Sequence, residues 1–288
     1  MDFDFLNPRI PLGSWIESFF SWFQHAFDWL ITFTNVVIGG LYRGLEGLLS
    51  APVYLVMMVI LAAIAWAAAN WKVAVFTLIG FYLVRAVDQW DNTMETLALV
   101  VVAVFLALIL AIPLGILAAK SKRFSAVIKP ILDFMQTMPS LAYLVPVIVL
   151  FGIGQVPGAI ATIIFALPPG VRFTELGIRQ VDTETVEAGA AFGATPRHIL
   201  WRIQIPLAMP TIMAGVNQVI MLALSMVVLS GMVGAGGLGG DVVAALSQVD
   251  IGLGMEAGVA VVIVAVYLDR ITSGLANRTP LARAQQAG

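Results

Sequence analysis

Residues 97–119 run for 23 positions without one charged side chain. A helix of that length crosses about 30 Å of hydrocarbon at about 1.5 Å per residue. Several other apolar blocks approach it, and the composition follows. Hydrophobic residues make up 60% of the 288, charged residues only 11%, and mean hydropathy is +0.96. Soluble domains carry about 25% charged residues, so a soluble globule of this size could not cover its surface. In hydrocarbon every backbone polar group must be satisfied within the chain. The expected fold class is therefore all-α, a polytopic transmembrane helical bundle.

The apolar blocks mark seven spans, at 52–70, 73–90, 97–119, 134–153, 157–171, 207–230 and 255–271. Residues 141–170 could form one tilted helix of about 45 Å, but Gly152, Gly154, Pro157 and Gly158 interrupt the middle and favour two. Upstream, residues 15–31 set bulky aromatics against Glu17, Ser21, Gln24, His25 and Asp28 at helical spacing. That pattern suits an amphipathic helix lying in the interface. The alternative is an extra span over 29–42, confined between Asp28 and Arg43. The expected organisation is an outer interfacial segment over 1–50, a transmembrane unit over 51–275 and a tail over 276–288.

Sidedness follows from the basic residues, which cytoplasmic loops retain. With seven spans and the N-terminus outside, the inner face holds Lys72, Lys120, Lys122, Arg123, Lys129, Arg172, Arg179, Arg197, Arg202, Arg270, Arg278 and Arg283, 12 of the 15 Lys and Arg. Fusing 141–170 into one span would put the Lys120–Lys129 cluster and the Arg172–Arg202 cluster on opposite faces. The C-terminus is then cytoplasmic. The opening MDFDFLNPR lacks a basic stretch followed by an apolar one, so no cleaved signal peptide is expected.

Cysteine is absent, which excludes disulfides, thiolate metal sites and a cysteine nucleophile. His25 and His198 stand far apart, so no metal site and no His-centred triad is expected, and no cofactor in this chain. Gly234-Ala235-Gly236-Gly237-Leu238-Gly239 fits G-x-G-x-x-G, but a dinucleotide site needs a βαβ unit around it. A flexible bend at the outer mouth is the better reading. No G-x-x-x-x-G-K-[ST] occurs, so the chain is expected to depend on a separate ATPase if ATP drives it.

The long charged stretch is Thr174 to Pro206, expected on the cytoplasmic side. Asp182 or Thr183 can cap a helix with Glu184 and Glu187 in its first turns, favoured there by the helix dipole. Gly193 supplies a C-terminal stop, Thr195-Pro196 restarts a second helix, and Pro206 ends it at the membrane. Such a helix-turn-helix could be a passive connector or a coupling element. Nucleic acid is not an expected partner, because the unit is tethered at both ends and has near-zero local charge.

Glu187-Ala188-Gly189, three residues, Gly193, nine residues, then Ile203-Gln204-Ile205-Pro206 resembles the EAA loop of ABC importer permeases, E-A-A, three residues, G, nine residues, I-x-L-P. Gly189 replaces the second Ala and Ile205 the Leu. The resemblance implies a coupling helix that docks on an ATPase, carried by Glu187, Ala188, Gly193, Ile203 and Pro206. Over roughly residues 90–275, segments such as WDNTMETLALV, DFMQTMPSLAYLVPVIVLFGIGQVP and GAGGLGGDVV are similar to permeases for glycine betaine and proline betaine and their choline-importing relatives. That likeness implies a type I ABC importer permease-like bundle in a bacterial inner membrane. Its implied partners are a second permease copy, two ATPase subunits and a periplasmic or lipid-anchored binding protein, besides membrane lipid.

Two polar groupings could line a path. Gln218, Met221 and Ser225 share a helical face with Ala214, and Asn217 lies beside them. Polar groups in a membrane face protein or water, so this stripe serves either a path or a helix contact. Gln136, Met138 and Tyr143 surround a break at Pro139, where an interrupted helix could present backbone to a solute. Asp269-Arg270 reads as an interface pair. A secondary transporter is the rival class and should carry paired acids within its spans; Asp133 and Glu256 sit near span ends. A permease for another small solute, such as an amino acid, is the nearer alternative.

Overall fold

A computed structural model describes residues 11–277, and every regular element within them is a helix. In chain order these are α1 (Leu12–Ala26), α2 (Asp28–Ser50), α3 (Tyr54–Ala68), α4 (Trp71–Ala86), α5 (Trp90–Lys120), α6 (Lys122–Thr137), α7 (Leu144–Phe151), α8 (Gln155–Arg179), α9 (Thr183–Ala191), α10 (Pro196–Ile199), α11 (Ile205–Ser230), α12 (Gly237–Gln248) and α13 (Ile251–Asn277). Arg9, Arg278 and Arg283, and the expected tail beyond Asn277, lie outside the described residues.

The core forms where α8 packs between α5 and α11. Lipid tails are as apolar as leucine, so helices associate in a membrane through close packing of small residues. Ala98, Ala103, Ala107 and Ala111 on α5, Ala159 and Ala166 on α8, and Ala223 on α11 are all fully buried. A Cβ on Gly115 would stand 2.5 Å from Thr174 Cβ, and one on Gly215 2.5 Å from Phe173 Cβ. Hydroxyls inside this core bond back to their own helix, Thr162 Oγ1 to Gly158 O and Thr174 Oγ1 to Gly170 O, each at 2.7 Å. α13 and the α3–α4 hairpin complete the bundle, joined by Phe81, whose ring meets those of Trp90 and Tyr267 edge-on.

The expected seven spans become fewer. Among the described residues four helical runs are long and apolar enough to cross a membrane: Trp90–Lys120, Gln155–Arg179, Pro196–Val233 and Ile251–Ala276. Counting each of two bent pairs as one span raises this to six. The expected 73–90 span is the 16-residue α4, about 24 Å long and short of a bilayer. It stops because Asp88 takes φ 56 and pairs with Arg85. The expected 134–153 span is not a straight helix either. α6 begins earlier, at Lys122, and the chain turns by 110° before Ser140. Pro139 forces the preceding residue out of helical geometry, and Met138 is extended (φ −68, ψ 135).

The division at Gly152–Gly154 is present: α7 ends at Phe151, and Gly152 and Gly154 take φ 81 and 135, where other residues are strained. Upstream, the helix expected over 15–31 breaks at Phe27, and α2 continues for 23 residues with Ile38 and Tyr42 buried. It carries Arg43 and Glu46, and a turn of 107° separates it from α3.

Candidate functional site

Local sequence dictates the charged loop. Asp182 is the N-cap of α9: its Oδ1 accepts from Glu184 N at 3.2 Å, and its Oδ2 accepts from Thr185 Oγ1 at 3.3 Å. At the other end Gly193 takes φ 79, Gly193 N donates to Ala190 O and Ala194 N donates to Gly189 O. This pair of bonds is the Schellman arrangement, which closes a helix with a left-handed residue. Thr195 then caps α10 by accepting from His198 N at 3.3 Å, with Pro196 in first position.

The loop does not end at Pro206 as expected. α10 passes through a π-helical turn, Leu200–Gln204, directly into α11, so residues 196–233 form one helical run. Pro206 has no N–H to bond back along this run, and it stands where the π-helical turn passes into α11.

Among the implied coupling residues, Glu187, Ala188 and Gly193 are exposed on or beside α9, and Pro206 is exposed where α11 begins. Ile203 packs back on α9, where a Cβ on Gly189 would meet its Cδ1 at 2.6 Å. α9 has no buried residue, and Phe192 at its end is 93% exposed. The roots are packed more deeply, where Ile178, Leu200, Ala208 and Ile212 form a small apolar cluster.

Beneath that cluster lies a charged knot that the sequence reading left among loop charges. Glu175 belongs to α8 and is 4% exposed. Its Oε1 accepts from Ser125 Oγ of α6 at 2.7 Å and lies 2.9 Å from Arg179 Nε and 3.5 Å from Lys129 Nζ of α6. Arg179 also donates through Nη2 to Ala118 O of α5 at 2.8 Å. Further along, Asp133 of α6 pairs with Arg172 of α8. These contacts bring the Lys120–Lys129 and Arg172–Arg202 groups to one end of the bundle. The i, i+4 spacing of Glu175 and Arg179 was the available sequence signal.

The path candidates divide. Gln218, Met221 and Ser225 are exposed along α11, with Ala214 in the same stripe. Asn217 instead donates to Asp269 Oδ1 of α13 at 3.1 Å, a helix contact. Gln136 is exposed at the end of α6. Tyr143 is buried and its hydroxyl donates to Met135 O, bracing the bend at Pro139. Met138 packs against the apolar cluster that holds Tyr143 and Met226 of α11.

At the opposite end, the glycine-rich bend expected to be flexible is packed. Gly237 N donates to Glu95 Oε2 and Leu238 N to Thr96 Oγ1, each at 2.9 Å, so α5 caps α12. Asp241 Oδ2 accepts from Gln89 Nε2 at 2.8 Å and Asn92 Nδ2 at 2.7 Å. Gly231 and Gly239 touch backbone to backbone.

Residues 111–277 match the family described as binding-protein-dependent transport system inner membrane component. The glycine betaine transport system permease protein OpuAB of Bacillus subtilis is 45% identical, covering 93% of this chain and 95% of that protein. ProW of Escherichia coli, a glycine betaine/proline betaine transport system permease protein, is 44% identical over 95% of this chain and 78% of its own length. In fold, the chain is similar to an inward-facing structure of the MetNI methionine ABC transporter, with TM-score 0.56, 23% identity and coverage of 66% of this chain and 92% of that one. The EAA-type loop lies within the matched region, and the chain belongs to the family of binding-protein-dependent transport system inner membrane components.

Proposed function

We propose that this chain is the permease subunit of an ATP-driven importer for small trimethylammonium solutes such as glycine betaine, proline betaine or choline. The observation that carries the reading is the EAA-type loop, capped and closed by its own residues and exposed for docking, in a chain similar over nearly its full length to glycine betaine permeases. Two copies work with two ATPase subunits and a periplasmic or lipid-anchored binding protein. The chain supplies no ATP site and no cofactor of its own, and nucleic acid has no part.

Glu187, Ala188, Gly193, Ile203 and Pro206 form the docking unit on the cytoplasmic side. Gln218, Met221 and Ser225, with Gln136 and Met138 at the bend, face the route. A quaternary ammonium has no N–H to donate, so rings of carboxylates are unnecessary. Polarizable methionines, amides and aromatic faces suffice, the last worth about 0.5–2 kcal/mol each.

The test is uptake of radiolabelled glycine betaine or choline into proteoliposomes holding permease, ATPase and binding protein. Uptake should require all three components and ATP. Import of methionine or another free amino acid, with no trimethylammonium compound taken up, would overturn the substrate class. Orientation is checked in the same vesicles, because the chain has no cysteine. Ser247→Cys should react with an impermeant thiol reagent from the outer face, and Ser121→Cys only after the membrane is opened.

A further inference from the structure

We infer that Glu175 is a positioning residue for coupling: it fastens α6 to the root of the docking loop, so that α6 carries loop movement to the bend at Pro139. The inference rests on the reading of the chain as an ATP-coupled permease and goes beyond it by assigning the route inside the subunit.

Three elements meet at this carboxylate. α8 supplies Glu175 and Arg179, and Arg179 is the last residue of α8 before the docking loop. α6 supplies Ser125 and Lys129, and α5 supplies the Ala118 carbonyl. An ionisable side chain at such depth is costly unless paired, and its presence marks a functional position more often than a structural one. Packing alone would not need it, since a well-packed apolar cluster could replace a buried ion pair at little cost to stability. An ionic knot adds a fixed register between α6 and α8, whereas apolar surfaces can slide.

A second tie keeps that register. Asp133 of α6 pairs with Arg172 of α8, so each helix gives one acid and receives one. α6 is thereby held at Ser125, Lys129 and Asp133 along the side that faces α8. Its far end is Met135–Thr137, immediately before the 110° turn, where Tyr143 bonds to the Met135 carbonyl. A displacement of Arg179 and Glu175 on ATPase engagement therefore moves Gln136 and Met138, because the Asp133–Arg172 pair holds α6 to α8 on the far side of Pro130. Coupling of this kind travels through bonded networks and rigid elements.

The test uses the complete transporter in proteoliposomes, with Thr137→Cys as a reporter in the otherwise cysteine-free chain. Thr137 is exposed and its hydroxyl bonds only locally, to Phe134 O. In the reporter protein, trapping with ATP and vanadate should change the rate of thiol labelling. Adding Glu175→Gln, which keeps the shape and removes the charge, should lower solute imported per ATP hydrolysed by about tenfold and leave labelling unresponsive to trapping. Lys129→Gln keeps the Glu175–Arg179 pair and should shift both readouts the same way by about twofold, because that ammonium is half exposed. Unchanged import per ATP with a full labelling response in Glu175→Gln overturns the inference. So does an equal fall in import and hydrolysis with labelling still responsive, and so does Lys129→Gln without effect should Glu175→Gln not assemble. If the parent complex shows no ATP-dependent uptake at all, the permease reading itself fails.

Discussion

Glycine marks both ends of the α5–α8–α11 core for opposite reasons. At the charged loop, Gly193 is required by its backbone: φ is 79 and nothing lies within 4 Å of where a Cβ would stand. At the turn before α12, Gly231 is required by its neighbours: its φ is −53, and a Cβ there would stand 2.2 Å from the backbone of Gly239. The first end is closed by bonds within a few residues of chain. The second is closed by α5, with Glu95 and Gly237 standing 142 positions apart. The charged loop is closed by its own residues, whereas the turn before α12 is closed by the bundle.

That contrast can be broken by substitution, and the expected effects on bundle stability run from large to negligible. Gly231→Ala is the severest. Both clashing groups are main chain and neither can rotate away, so the cost should reach about 3 kcal/mol or more. Thermal unfolding in detergent should show a large fall in Tm, and an unchanged Tm would remove the packing argument for the turn before α12.

Asp241→Ala comes next, because it strips the shared acceptor from Gln89, which is 4% exposed, and from Asn92. An unsatisfied buried donor costs about 1–3 kcal/mol. Asp241→Asn retains an acceptor oxygen and should recover part of that loss, which the same melts would resolve.

Gly193→Val should cost about 1–2 kcal/mol through the left-handed backbone, but that cost is confined to the α9–α10 corner. The melting of the bundle should stay near the parent value while ATP-driven uptake is lost. Glu187→Lys should behave alike, since it places a cation where the docking surface presents an anion and touches nothing buried. Gly40→Ala sharpens the lower bound: nothing lies within 4 Å of its Cβ position, and Tm should move by only a few tenths of a kcal/mol equivalent.

The same contrast explains what the sequence could disclose. The cap at Asp182, the stop at Gly193 and the restart at Thr195-Pro196 depend on residues within five positions of one another, so their chemistry is visible in a single string. The break at Pro139 was visible too, but its size was not, because the Tyr143 hydroxyl and the packing of Met138 on a cluster drawn from α7, α8 and α11 set the angle. Pro206 misled, since a π-helical turn carries the helix through to it. The glycine-rich bend read as flexible because Glu95, Thr96 and Asp241 hold it from positions no local pattern connects. Glu175 falls within the charged stretch that begins at Thr174, but α8 runs eight residues beyond the expected span end at 171 and takes that carboxylate into the bundle.

The most direct test measures Tm and ATP-driven glycine betaine uptake on the same preparations of Gly193→Val and Gly231→Ala, each assembled with ATPase and binding protein. The account predicts that Gly193→Val keeps the parent Tm and loses uptake, while Gly231→Ala loses Tm. A Gly193→Val protein that transports normally, or one that melts as early as Gly231→Ala, would contradict the claim that the charged loop is a docking element independent of the bundle.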